Sequence, residues 1–293
     1  MIDDPYCSIR GKYRGASIAV LGSGPSLPHL FGRKEDVVIG VNGAGALLRL
    51  QDYFLSDDSA APSKSWFQAL DKRITMILTS GAAIRVPEFF PDQRMRDRLW
   101  HDYEGKVQAW LNFAGVLRDS LDDYGRTDNL QHPRKSSDGR YYLLPTHPFL
   151  EEFEKNLPSP ELPHIILKYR SVNEPLSREQ IRLNMEGTSS HMALQIAYIM
   201  GAREIHLYGV EFSNTTENGK THGSGNYYYK PELNELGMTL DAQLQTMDST
   251  LKRINERGVV VYSHILSRTS EKWNTRLTNS IKIEHENNPC AVG

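Results

Sequence analysis

The chain has 293 residues, with 39% hydrophobic and 24% charged, enough for one large α/β domain or two small ones. A net charge of −2 gives no general electrostatic reason to bind nucleic acid or an anionic membrane. Cys7 and Cys290 lie near opposite ends and suggest no disulfide framework, no run approaches the roughly 18 apolar residues of a membrane span, and M-I-D-D-P-Y-C lacks the regions of a signal peptide, so a reducing cytoplasm is the expected compartment.

In chain order, residues 1–15 are polar and read as a loosely docked arm. Ile18 to Leu21 is a short apolar run bounded by turn residues, the mark of a strand covered on both faces. It breaks into Gly22-Ser23-Gly24-Pro25-Ser26 and resumes at Pro28. Two residues without Cβ permit a sharp turn and close approach to a ligand, and Pro25 suits the first turn of a helix. Free amides and the helix dipole then favour an anionic guest such as a phosphate. Leu27 stands where a dinucleotide fingerprint has its third glycine, and no G-K-[ST] follows, so neither common phosphate motif is present.

Further strands are predicted at Asp36–Val41, Tyr53–Leu55 and Ile74–Leu78. Asn42 follows the first of these at a strand's C-terminal end, where ligands bind in open α/β sheets. Asp57 and Asp58 follow the second. They could hold magnesium across phosphates, accept hydrogen bonds from a ribose or sugar, or cap a helix starting near Ser63. Strands alternating with helical stretches at these intervals predict a parallel, doubly wound sheet. From 86 to 178 aromatics and charges mix without a stable period, with a short strand expected at 141–144 and a short helix at 151–156. The segment reads as an inserted, lid-like elaboration of a single domain spanning 1–293, in which Tyr141, Tyr142 and His147 either line an acceptor pocket or merely pack.

Thr188-Ser189-Ser190 opens a helix that runs to the stop Gly201, with Thr188 or Ser189 as N-cap, and offers a second helix N-terminus for an anion. A strand at 204–208 leads to Glu211, a ligand group or a loop carboxylate facing water. Residues 214–229 are polar and glycine-rich and form a long loop. His222 within it is the candidate general base, since imidazole titrates near neutral pH. A helix over 240–256 and a last strand over 259–262 follow, and the tail from Lys272 carries no core signal.

The string I-A-V-L-G-S-G-P-S-L resembles the opening strand and turn of the bacterial sialyltransferases that act on lipooligosaccharide, and of proteins similar to archaeal hydroxymethylpterin pyrophosphokinase. T-S-S-H-M-A-L-Q-I-A-Y-I-M-G-A-R-E-I-H-L-Y-G-V-E-F resembles their helix–strand unit, and V-V-V-Y-S-H their last strand. The resemblance implies a Rossmann-like fold, α/β with a mostly parallel sheet and helices on both faces. It implies a glycosyltransferase that takes a sugar from a nucleotide-activated, CMP-linked donor without a metal. By position, Gly22 to Ser26 would hold the donor phosphate, Asn42 the sugar or base, and Thr188, Ser189 and Ser190 the nucleotide; Asp57 and Glu211 join the candidate donor contacts only through their own places just past strand ends. Ser23 stands where those sialyltransferases have asparagine, and His222 lies farther upstream of the following helix than their histidine base. The alternatives are a pyrophosphokinase-like enzyme with magnesium and ATP at Asp57 and Asp58, and a nucleotide-binding protein without catalysis. The acceptor could be a glycan, a lipid-linked sugar, a small molecule or a hydroxylated nucleobase, and nothing argues against a homo-oligomer.

Overall fold

Ser17–Leu21 forms the central strand because four of its five side chains are buried, which only a strand covered on both faces allows. The computed structural model describes residues 4–23, 27, 34–44, 51–121, 134–135, 140–143, 148–161, 163–170, 176–184, 188–210, 240–266 and 282–286. The strands are β1 (Ser17–Leu21), β2 (Val37–Val41), β3 (Tyr53–Ser56), β4 (Thr75–Leu78), β5 (Arg134–Lys135), β6 (Tyr141–Tyr142), β7 (Ile165–Ile166), β8 (Tyr169–Arg170), β9 (Leu183–Asn184), β10 (Glu204–Tyr208), β11 (Val260–Leu266) and β12 (Lys282–Glu286). Eight of them make one sheet in the order β12-β11-β10-β1-β2-β3-β4-β7. Every pairing in it is parallel. From β1 the chain winds outward through β2, β3, β4 and β7, then returns to β1's other side and winds outward through β10, β11 and β12. The strand order therefore reverses between β1 and β10, and such a reversal opens a crevice at the carboxyl ends of the strands.

Helices cover both faces, as the sequence predicts. Ile18, Val20, Ile39, Ile205 and Leu207 point to one side and pack with Met192, Leu194 and Ile199 of the helix Ser189–Met200 and with Met247, Leu251 and Ile254 of the helix Leu240–Glu256. Phe54, Met76 and Leu78 point to the other side and pack with Leu99, Tyr103, Val107 and Trp110 of the helix Gln93–Leu121. Gly201 ends the Ser189 helix in the left-handed conformation expected of a stop glycine. Among the described residues, no helix is long and apolar enough to cross a membrane.

Several boundaries and assignments differ from the sequence reading. β2 starts at Val37, with Asp36 just before it holding Ser17 twice: its amide donates to the Ser17 carbonyl at 3.0 Å and its carboxylate accepts from the Ser17 amide at 2.9 Å. The helix expected near Ser63 is a 3-10 turn at Ala61–Ser63 followed by one α-turn at Ser65–Gln68. The last strand runs over Val260–Leu266, and the tail adds β12 beyond it. The stretch without a period contains a helix of 29 residues and the edge strand β7. The N-terminal arm is packed rather than loose: Tyr6 is fully buried, and its hydroxyl donates to the Lys168 carbonyl at 3.1 Å and accepts from the Lys168 amide at 3.2 Å. Arg10 secures the same arm through Asp4 at 2.8 Å.

Candidate functional site

The two glycines that end the central strands define the floor of the crevice. The Gly22 amide donates to the Tyr208 carbonyl at 2.7 Å, so β1 and β10 stay joined to their last residues. An ideal Cβ on Gly22 would lie 2.4 Å from the Gly209 carbonyl oxygen, and one on Gly209 would lie 2.4 Å from that of Gly22. Gly209 also has φ of +65°, a left-handed conformation that suits glycine. The glycine of the sequence motif is therefore required first by backbone approach between two strands. Ser23 follows it, and Leu27 is fully buried against Ala19, Leu21 and Tyr208. Gly24, Pro25 and Ser26 lie outside the described residues, as do Glu211, His222 and His147.

β1 and β2 pair with Leu21 opposite Gly40, which brings Asn42 to the same carboxyl edge as Gly22. Asn42 has φ of +51°, a conformation asparagine tolerates better than most side chains. Its carboxamide is the middle of a directed chain of hydrogen bonds. Ser56 Oγ donates to Asn42 Oδ1 at 2.7 Å, Asn42 Nδ2 donates to Ser189 Oγ at 3.0 Å, and Ser189 Oγ donates to the Asp57 carboxylate. The chain ties the ends of β2 and β3 to the first turn of the Ser189 helix and ends on a charge. Thr188 occupies the N-cap position, yet its side chain makes no capping bond. Thr188 Oγ1 is buried with no hydrogen-bond partner among the described residues. Ser190 follows in the same turn. Asp58 caps no helix, since neither the 3-10 turn nor the helix after it has a side-chain cap, but its Oδ1 accepts from the Ala60 amide at 2.8 Å within its own turn. The two adjacent carboxylates thus divide, Asp57 facing the Ser189 helix and Asp58 holding its own turn.

Three groups at this edge were missed by sequence reasoning. Ser56 starts the hydrogen-bonded chain. Tyr169 on β8 is buried, its hydroxyl also lacks a partner among the described residues, and burial followed by the nearby Asp57 charge raises its pKa well above the usual phenol range. Glu154, on the helix Pro148–Lys155, accepts from Ser80 Oγ at 3.0 Å just past the end of β4. Burial pushes its carboxyl pKa up to about 7, against the opposing pull of the Ser80 hydrogen bond and the Lys168 and Arg182 charges. A carboxyl that titrates near neutrality at a strand's carboxyl end can give or take a proton. Tyr142 is only 5% exposed and accepts from Arg85 at 2.5 Å, which makes it a packing residue, while Tyr141 is exposed.

With this geometry in view, comparison with known proteins adds little beyond architecture. No family model matches the chain, and no curated protein matches it. Among solved structures it is similar to the sialyltransferase CstII from Campylobacter jejuni in complex with cytidine-5'-monophosphate, at 11% identity over 94% of this chain and 91% of that one, with a TM-score of 0.39. It is similar to the same sialyltransferase in complex with CMP-3FNeuAc at 12% identity, over 93% and 91% of the two chains, with a TM-score of 0.36. The likeness spans nearly the whole chain and is one of fold alone.

Proposed function

We propose that the chain is a glycosyltransferase that moves a sugar from a nucleotide-activated donor to an acceptor hydroxyl. The observation that carries the reading is the meeting, at one crevice where the strand order reverses, of the Gly22 turn, the Ser56-Asn42-Ser189-Asp57 chain and the N-terminus of a 12-residue helix. That set suits a ligand with hydroxyls at one end and a phosphate at the other. The resemblance of both motifs to sialyltransferases supports a CMP-linked donor. Residues 22–26 then hold the phosphate, Asn42 and Asp57 meet ribose or sugar hydroxyls, and Thr188 to Ser190, with Glu211, complete the nucleotide site.

In the reaction the acceptor oxygen forms a bond to the anomeric carbon as the bond from that carbon to the donor phosphate breaks. The electron pair leaves with the phosphate, and amides at the Gly22 turn and the Ser189 helix stabilise its charge. The hydroxyl proton passes to a base, assigned to His222. The reading requires no metal.

The test is thermal stability of the purified chain against CMP, UDP, GDP, ADP, ATP and their sugar derivatives, with and without magnesium. A ligand at 100 times its Kd adds about 2.7 kcal/mol and raises the midpoint by several degrees. Stabilisation by a nucleotide or its sugar without metal, lost in Ser189→Ala and followed by donor turnover, is the expected result. Stabilisation by ATP only with magnesium would move the assignment to the pyrophosphokinase class. Binding without turnover would favour a nucleotide-binding protein, and no shift from any ligand would overturn the site. His222→Ala should lower turnover by about 10²- to 10⁴-fold while leaving donor binding intact.

A further inference from the structure

On the opposite half of the sheet, side chains from three separate segments converge in a place the proposed reaction does not use. β10 and β11 run parallel with His206 opposite Tyr262 and Tyr208 opposite His264. Ile205, Leu207 and Val261 between them pack on the side of the Ser189 and Leu240 helices, so alternation turns the two histidines and two tyrosines to the other face. Glu35, from the connection into β2, reaches the same spot. His206 Nδ1 lies 2.9 Å from His264 Nε2 and 4.0 Å from Glu35 Oε1, and one ligand atom from each of the three side chains lies within 4.8 Å of the other two. Glu35 is 7% exposed and His264 8%.

We propose that Glu35, His206 and His264 bind a divalent transition-metal ion of the zinc class. Two imidazoles and a carboxylate favour zinc and its first-row neighbours, whereas magnesium and calcium take oxygen ligands. Metal-to-ligand bonds of about 2.0–2.1 Å in a tetrahedral site set ligand atoms roughly 3.3–3.4 Å apart. The separations of 2.9 and 4.0 Å bracket that value, so small ring rotations bring the three to one centre. One supporting group that orients a metal ligand is also in place: Tyr208 Oη donates to Glu35 Oε1, while Glu204 Oε2 lies 3.9 Å from His206 Nε2, near the ring but beyond hydrogen-bond reach. Tyr208 stacks on His264 at 4.2 Å between ring centroids and Tyr262 on His206 at 4.8 Å, which fixes both imidazoles in apolar surroundings. The ion fastens the β1–β2 connection to β10 and β11, a structural task separate from sugar transfer.

The test uses the full chain, stripped with a chelator and titrated with Zn²⁺ and with Co²⁺ as a spectroscopic probe. One equivalent of metal should bind, raise the thermal midpoint by several degrees and give the visible absorption of cobalt bound by nitrogen and oxygen. His206→Ala and His264→Ala should each weaken binding at least tenfold, and Glu35→Gln likewise, while the exposed His101→Ala leaves it unchanged. Should the histidine variants fail to fold, the unsubstituted chain decides alone. Failure of the stripped chain to take up one equivalent, a cobalt spectrum without nitrogen ligands, or binding that survives both histidine substitutions would overturn the site and leave a hydrogen-bonded histidine pair.

Discussion

The sheet has two halves that meet at β1, and they place their polar residues in different ways. On the side of β2 and β3 the polar groups follow the strand ends: Asn42 comes after Val41, and Asp57 after Ser56. On the side of β10 and β11 they lie within the strands, at His206, Tyr208, Tyr262 and His264, and look out from a face. Residues past strand ends stand in the crevice and can meet an incoming molecule. Residues within strands are held by pairing on both sides and suit a permanent occupant. One sheet can therefore carry a changing ligand at its edge and a fixed one on its face.

The seam between the halves offers the largest test. Gly22→Ala forces a Cβ to within 2.4 Å of the Gly209 carbonyl and 2.8 Å of Val210 Cγ2. It should cost about 3 kcal/mol in denaturant unfolding, with loss of nucleotide binding, because the two strands must separate at the crevice. A near-neutral result would mean the halves are not locked at that point.

The edge half should also carry a pH signature. Burial raises Glu154 in the folded state to about 7 from an ordinary 4.5, so between those values the folded chain holds a proton that the unfolded chain has released. Stability should fall as pH rises from about 4.5 through about 7, and Glu154→Gln should be free of that loss. Compared at about pH 4 and about pH 8, the difference between the two proteins should change by about 3 kcal/mol. Parallel unfolding curves across that range would remove Glu154 from the list of proton donors and acceptors.

Ser189→Ala removes both the hydroxyl that Asp57 accepts from and the acceptor of the Asn42 amide. It should cost about 2 kcal/mol through the polar groups left unpaired. The accompanying fall in nucleotide affinity is what distinguishes a ligand edge from a mere structural tie. Gly258→Ala serves as the comparison of smallest effect. Its added Cβ meets nothing within 4 Å, but φ is +79°, so strain alone should cost about 1 kcal/mol without touching ligand binding.

The edge half was the legible one. Short apolar runs ending in Gly, Asn or Asp announce both a strand and what stands at its end, which is why β1 to β4, Gly22, Asn42 and Asp57 could be placed from sequence. The Ser189 helix was readable from its apolar spacing and its stop glycine. The long helix was not, because its buried stripe of Leu99, Tyr103, Val107 and Trp110 starts among clustered charges at Arg94, Arg96, Asp97 and Arg98 and then runs into an uncharged stretch from 107 to 117 whose apolar residues include the exposed Phe113, so no single apolar face stands out. β7 is two residues long, and β12 carries Lys282, Glu284 and Glu286, so neither has an apolar pattern to read. Glu154 sits in the charged run E-E-F-E-K, and nothing local marks it, since the Ser80 that binds it is 74 residues away. E-I-H-L-Y and V-Y-S-H do alternate in polarity, but only the register of β10 against β11 shows that their polar members face one another.

The position of β1 at the middle of the sheet has a consequence for how the protein is made. Its partner on one side, β2, is almost adjacent in the chain, whereas on the other side Leu21 pairs with Tyr208. During synthesis the inner edge of β1 stays open until β10 leaves the ribosome, on the order of ten to forty seconds later at typical elongation rates. For that interval the nascent chain presents an apolar strand edge to every neighbour in the cell, so its yield should depend on chaperone supply more than its final stability suggests.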